Sequence, residues 1–468
     1  MSSTTYGLAA LALWVVGQCV YNVFFHPLRA IPGPMLAGVS RWWLFWLEWK
    51  GNPHVEILEL HRKYGRIVRI APNEVSFRDL EASDALYGPT SKFEKSNYFY
   101  RAFEDQASNL FTMRDRQRHS QDKRLISHAF SRANILQHQA TVFGKAATLM
   151  GRVAERAEQG AAIPLFPAFR CLTLDMISEF AFGRSIRALE AEDFNCEVLD
   201  AIDKTTQSVP FFQHFPLLRN LLRWASYYNV TAIPNGFLEL GKAAEAGLEQ
   251  MHSHDTWTMF KNMISSAEKK SIQLGKEHMI AEGIVMIVAG TDTTAASLAV
   301  TLHHLSQQPE LYRRLQAEVR TVIPTLDSQP AFSDLDSLPF LDACVKEGLR
   351  ISCPSRTRLP RTTTASMSPL YFLQDETIFP FPTSYNPARW LVEDEQRRIM
   401  LSYFHPFSRG TRQCIGQNLS IIEQKIVLSM FARRFNPEQV LKKDIKTREA
   451  ITVRMDDPLD VRMSQAAD

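Results

Sequence analysis

The chain has 468 residues, 45% hydrophobic and 22% charged, with 24 prolines and 20 glycines. That mix excludes a disordered or low-complexity protein and allows a large buried core. Its 53 basic and 50 acidic side chains leave a net charge of +3, a balance that does not point to nucleic acid.

After a short tail (1–7), residues 8–25 run without a charge, broken only by Gln18 and Asn22. This predicts a transmembrane anchor. No basic leader and no small-x-small cleavage site precedes it, which argues against a signal peptide. Arg29 and Arg41 follow, favouring a cytosolic side for what comes next. Pro32-Gly33-Pro34 then stiffens a hinge and Trp-rich linker (26–50) carrying Trp42, Trp43, Trp46 and Trp49. These indoles suit either the bilayer interface or a seat beneath the body. Residues 51–468 read as one body, with no repeat or Gly/Ser linker. The cysteines (Cys19, Cys171, Cys196, Cys344, Cys353, Cys414) lack disulfide-framework spacing and fit a reducing compartment. The sequon-like Asn229 and Asn418 would then stay unmodified.

Within the body, Ile67–Phe77 reads as two strands joined by a Pro-Asn turn. His119 and Lys123 lie one helical turn apart on one face. Leu172, Met176, Ile177 and Phe180 mark a helix ending near Gly183. The apolar segment Ile284 to Leu305 predicts a long buried helix around Ala289-Gly290-Thr291-Asp292-Thr293-Thr294. Glycine in mid-helix costs about 1 kcal/mol, so Gly290 suggests close approach of a ligand or cofactor. Asp292 beside Thr293 sets a carboxylate next to a hydroxyl, a pair suited to proton relay through water. The plain alternative is a helix-bending threonine and a solvated aspartate. Glu347 and Arg350 share a face of a helix starting near Pro339.

The run Phe407-Ser-Arg-Gly-Thr-Arg-Gln-Cys414-Ile-Gly416 opens a helix expected to bury one stripe: Ile415, Leu419, Ile422, Ile426 and Met430. A thiol ligates metal as the thiolate, a form favoured by N–H donors, a helix N-terminus and nearby arginines. Gly410 and Gly416 would let the loop pass close to a flat cofactor. Phe407 could pack beside the sulfur, and Arg412 could meet an acidic group at the cofactor edge. One cysteine with no Cys or His partner at clip spacing argues against zinc and suits a thiolate-ligated haem.

This run matches the Phe-x-x-Gly-x-Arg-x-Cys-x-Gly signature at every fixed position, and the chain resembles the cytochromes P450 over nearly everything after residue 26. The resemblance implies a mainly α fold with small β-sheets behind a transmembrane helix, as in fungal endoplasmic-reticulum members. It implies haem b held by Cys414, with Asp292 and Thr293 over the distal face assisting dioxygen activation. Glu347, Arg350 and Arg389 (from Asn386-Pro-Ala-Arg-Trp390) would form a structural lock. His119, Lys123, Arg361 and Arg412 would meet the haem propionates. Electrons would come from an NADPH–cytochrome P450 reductase docking near Arg118, Lys123, Arg124 and Arg409. The substrate would be a lipophilic small molecule, oxidised in secondary metabolism. Phe99, Phe103, Phe111, Phe211, Phe212, Phe215, Met286 and Ala289 are its candidate contacts. One departure stands out: Thr362–Ser366 runs almost directly into Met367–Tyr371, so the chain is short by about one hairpin near 361–370. Two other readings stay open. One is a haem-binding remnant with impaired catalysis; the other is a haem-thiolate isomerase or dehydratase needing no external electrons.

Overall fold

A computed structural model describes residues 3–104, 107–227, 236–251, 256–326, 328, 330–362, 365–438 and 445–466. Asn229, Thr363 and Thr364 lie outside these residues. Helix α1 (Ser3–Phe24) begins a few residues before the expected anchor. Its stretch Thr4–Phe24 has a mean hydropathy of 1.6 and stands clear of the body, 6% buried. The span ends against protein: Asn22 Nδ2 donates to the Val39 carbonyl at 3.0 Å, and Arg69 Nη2 donates to the Asn22 carbonyl at 3.0 Å.

Residues 26–50 are not a linker. They fold into a short 3-10 turn (Pro27–Ala30), α2 (Met35–Val39) and α3 (Trp42–Lys50). What pins α3 is a buried charge network. Glu48 meets Arg358 and, at 2.6 Å, His214 Nε2; Arg358 Nε also donates to Glu74 at 2.7 Å. Burial alone would raise the Glu48 carboxyl, but Arg358 and His214 override it and bring the pKa to about 2. The indoles divide accordingly. Trp43 packs into the small cluster of Leu44, Ile57 and Tyr371, while Trp42, Trp46 and Trp49 remain exposed.

The expected hairpin is present. Strands β1 (Ile67–Ala71) and β2 (Glu74–Phe77) pair antiparallel, Ile67 opposite Phe77, with a bulge between Arg69 and Ala71. Further along come α4 (Arg116–Ile126), α5 (Leu165–Phe182), α6 (Glu197–His214) and α7 (Pro216–Tyr227). Helix α5 stops at Gly183, which takes the left-handed φ of 80° that favours glycine. The long α8 (Lys276–Ser306) is apolar enough to span a membrane, but 72% of its apolar window is buried, as befits a core helix. Next is α9 (Pro339–Ser352), opened by proline where its missing N–H costs nothing.

Strand β3 (Ala365–Ser366) joins β2 in parallel. Arg361 N donates to the Ala365 carbonyl at 2.9 Å. Helix α10 (Gln417–Arg434) follows the cysteine loop, and β4 (Thr447–Ala450) pairs with β5 (Thr452–Met455). The core lies among α5, α8, α9 and α10 and includes Phe169, Ile287, Leu341 and Phe431. Each such side chain contributes about 1.5–3 kcal/mol by burial. Helix α10 departs from the single-stripe expectation: Glu423, Gln424, Lys425 and Ser429 are buried as well, so it is enclosed on all sides.

Candidate functional site: a cysteine-lined cavity

A cavity of 330 Å³ lies between the cysteine loop and the middle of α8. Cys414, Phe407 and Gly416 line one wall, and Ala289, Gly290 and Thr293 another. Cys414 is exposed and lines this space. Its loop is braced by Cys414 N donating to the Phe407 carbonyl at 3.0 Å. Burial pushes the Cys414 thiol up from its ordinary value; the Gly416 and Gln417 N–H groups and the Lys123 ammonium pull the other way. The lysine, not the expected arginines, supplies the charge.

The glycines serve different purposes. A Cβ on Gly416 would meet only the cysteine sulfur, at 3.8 Å, so its open side faces the cavity. A Cβ on Gly410 (φ 69°) would fall 2.2 Å from the Tyr87 carbonyl oxygen, so this residue lets the loop press on backbone. For Gly290 the expectation is corrected: a Cβ would sit 2.5 Å from Ile177, so glycine there lets α8 approach α5.

One edge of the cavity is strongly basic. Lys95, His119, Lys123 and Arg412 line it. Lys95, which the sequence reading missed, is buried beneath the Tyr100 and Phe111 rings, and its ammonium donates to the Phe111 carbonyl. Its pKa is lowered well below the ordinary value by burial, then by Arg412, Arg361 and Lys123. Burial, Arg412, Lys95 and Lys123 hold His119 near 2. Such crowded like charge calls for anions. A flat, apolar group with two carboxylates and a thiolate-seeking metal therefore fits these residues.

The remaining bases sit less simply than expected. Arg361 stands one layer behind the wall, over the Tyr87 ring and donating to Tyr100 Oη at 3.1 Å. Arg412 donates to the Met113 and Arg114 carbonyls at 2.7 and 2.8 Å. Lys123 caps the cysteine loop through the Thr411 and Gln413 carbonyls, at 3.0 and 3.1 Å. Arg409 pairs with Asp84 at 2.6 Å, whereas Arg118 and Arg124 are exposed.

Behind the loop, Glu347 and Arg350 are fully buried, and five donors converge on the Glu347 carboxylate. Arg350 supplies two bonds of 2.8 and 2.9 Å; Arg389 Nε, Trp390 Nε1 and Asn386 N each donate at 3.0 Å. Arg350 Nη1 also reaches the Leu373 and Pro382 carbonyls at 2.9 and 2.7 Å. Trp390 and Asn386 thus share the Glu347 carboxylate with the two arginines expected there.

Asp292 and Thr293 are adjacent but face different surroundings. Thr293 lines the cavity and donates to the Ala289 carbonyl at 2.9 Å. Asp292 is buried, bonded to Arg170 Nε at 2.7 Å. Among the candidate substrate contacts, Phe103, Phe111, Met286 and Ala289 line the cavity. Phe99 is buried against Tyr100 and Phe103. Phe211 and Phe215 pack instead on Phe45, 5.6 and 5.1 Å between ring centres. Phe212 is half-buried and is not part of the wall. Ile284, Val288 and Ile451 are wall residues the sequence left unmarked.

A helical body enclosing a lone cavity-facing cysteine, opposite a threonine and beside a basic edge, defines a haem-thiolate protein. The sequence model for the cytochrome P450 family matches residues 32–461, and the chain belongs to that family. It is similar to the cytochrome P450 monooxygenase poxM of Penicillium oxalicum, at 28% identity over 97% of this chain and 93% of that one. The monooxygenase aflU of Aspergillus parasiticus is 29% identical over 93% and 92% of the two chains. TRI4 of Fusarium sporotrichioides, also named a cytochrome P450 monooxygenase, is 27% identical over 92% and 88%.

Proposed function

We propose that this chain is a membrane-anchored monooxygenase that takes electrons from an NADPH–cytochrome P450 reductase and oxidises a lipophilic small molecule, most simply by hydroxylation, in fungal secondary-metabolite biosynthesis. The observation that carries the reading is the Cys414 sulfur facing an apolar cavity with Lys95, His119 and Arg412 along one edge. When bound, haem b supplies the dioxygen activation and oxygen transfer. Cys414 would ligate its iron, Gly416 would let the ring approach, and Phe407 would pack beside the sulfur. Lys95, His119 and Arg412 would hold the propionates, with Arg361 behind them and Lys123 steadying the loop. Thr293 Oγ1 would pass a proton at the cavity wall once its hydroxyl leaves the Ala289 carbonyl, and Asp292 would resupply it through water. Phe103, Phe111, Met286 and Val288 exclude water and give the substrate an apolar seat.

The exposed Arg118 and Arg124 offer basic contacts for an acidic reductase. Residues 1–7 and the anchor 8–25 would fix the body to the endoplasmic-reticulum membrane in a single pass, facing the cytosol, in keeping with Arg29 and Arg41. The short stretch at 361–370 would leave that side of the substrate cavity with one hairpin fewer than the family's usual wall.

The reduced, carbon-monoxide-bound spectrum of the haem-loaded protein tests the ligand. A red-shifted thiolate band is expected, lost in Cys414→Ser; an unchanged spectrum in that variant would overturn the reading. One observation favours a second reading. Asp292 is engaged by Arg170, as would suit an isomerase or dehydratase that needs no relay. Turnover that proceeds without reductase and NADPH would select it.

A further inference from the structure

Apart from the haem cavity, one cluster of side chains among the described residues is arranged for a ligand. Asp122 on α4 faces His278 and Glu282, which lie one turn apart near the start of α8. His278 Nε2 is 3.4 Å from Asp122 Oδ2 and 4.0 Å from Glu282 Oε1. One donor atom from each residue falls within 4.8 Å of the others. Glu282 is fully buried and Asp122 is 9% exposed. Yet Asp122 Oδ2, His278 Nε2 and Glu282 Oε2 have no hydrogen-bond partner. Buried polar atoms rarely go unpaired, so three within one cluster need a common explanation.

The surroundings orient each group. His278 Nδ1 lies 3.2 Å from the Ser108 carbonyl, which holds a ring proton on Nδ1 and turns Nε2 toward the carboxylates. Leu110 N donates to Glu282 Oε1 at 2.7 Å, and Asn109 Nδ2 donates to the Ala281 carbonyl at 3.3 Å. A proton on Nε2 would pair the ring with these carboxylates at 3.4 and 4.0 Å, and a metal ion in its place would bind all three. His278 and then Arg118 act electrostatically on Asp122, and Lys95 on Glu282, but neither Arg118 nor Lys95 enters the cluster as a hydrogen-bond donor.

We propose that Asp122, His278 and Glu282 form a divalent transition-metal site, best suited to zinc, that staples the 107–115 loop to α4 and α8. Two carboxylates and one imidazole neutralise a dication and leave a fourth position for water. Zinc accepts this set at about 2.0–2.2 Å, so the observed spacings close on the ion with side-chain movements under about 1 Å. Calcium would need about 6–8 oxygen ligands, and magnesium avoids imidazole. Phe111 lies on the stapled loop and lines the cavity, so metal occupancy would also stiffen one wall of the substrate site. The metal site itself does not depend on the monooxygenase reading.

The test uses the detergent-solubilised, haem-loaded full chain, washed with chelator and titrated with zinc chloride. Bound zinc is counted after gel filtration, and its ligands are read from zinc-edge X-ray absorption. One zinc per chain with nitrogen and oxygen neighbours and no sulfur is expected. His278→Ala and Asp122→Asn should each weaken binding at least about tenfold. The exposed His128→Ala serves as control and should change nothing. No retained zinc, sulfur ligation, or equal affinity in folded His278→Ala and wild-type protein would overturn the site. The carbon-monoxide spectrum of the same samples reports haem ligation separately.

Discussion

Asp292 Oδ1 accepts a 2.7 Å bond from Arg170 Nε, while the hydroxyl of its neighbour Thr293 turns to the Ala289 carbonyl on the cavity side. Successive helical residues point about 100° apart, so one carboxylate and one hydroxyl can serve two compartments. Arg170 is shared with Asp203 at 2.6 Å. Burial would lower the guanidinium's pKa, but Asp292 and Asp203 together raise it. Asp292 Oδ2 accepts instead from Thr452 Oγ1 at 3.4 Å, so a relay through Asp292 would run beside this ion pair.

Thr293→Ala should leave haem content intact and lower the product formed per oxygen consumed by at least about tenfold. Parallel measurement of oxygen uptake, peroxide release and product checks this. Unchanged coupling would remove the hydroxyl from the relay.

The lock around Glu347 predicts an unequal pair of losses. Glu347→Gln breaks a buried ion cluster and should cost about 3–5 kcal/mol. Trp390→Phe removes one bond to a charged acceptor and should cost about 1.5–3 kcal/mol. Urea unfolding followed by tryptophan fluorescence and haem absorbance gives both. Equal small effects would mean that the cluster is not a structural tie.

Lys95→Met should act with opposite signs in two states. Without haem it relieves repulsion with Arg412, Arg361 and Lys123, so the apoprotein should melt at a higher temperature. With haem it removes a charge-assisted contact worth about 1.5 kcal/mol, so haem transfer to an apomyoglobin acceptor should run about tenfold faster. A variant that moved both in the same direction would refute the assignment.

Acid lability should include a contribution from His61. Its Nε2 lies 2.8 Å from Ser76 Oγ, and its Nδ1 3.0 Å from the Gly65 carbonyl. Burial, with Arg78 adding to it, lowers its pKa from 6.5 to about 4. Between those values the unfolded chain binds a proton that the native state refuses. The stability conferred is therefore full above pH 6.5 and is lost as pH falls toward 4. The amount is about 3 kcal/mol at most. His61→Gln should flatten the thermal-midpoint profile in that window; an unchanged slope would exclude the residue.

Legibility in the sequence followed the range of the interaction. The Cys414 run, the Glu347–Arg350 spacing, the 67–77 hairpin and the Gly183 stop are local, and the structure has them where the pattern put them. Lys95 carries no local signal, since two of the charges that give it meaning, Arg361 and Arg412, lie more than 250 residues away in the chain. The bond from Arg170 to Asp292 spans 122 positions and was invisible for the same reason. Phe211 and Phe215 show the limit of composition, because an aromatic cluster reads alike whether it faces a cavity or a neighbouring helix. Residues 26–50 looked like a spacer because the charges that fix them, Arg358 and Glu74, lie elsewhere in the sequence.

The half-hidden tryptophan helix has a practical corollary. Met35, Leu36, Trp42, Trp46 and Trp49 are exposed, and Trp42 touches Phe215, just before α7, on which Leu217, Leu221 and Trp224 are exposed too. Clipping the chain before Pro34 would remove the tether yet leave this greasy sole in place. Such a shortened protein should still co-sediment with phospholipid vesicles and should demand amphiphile during purification.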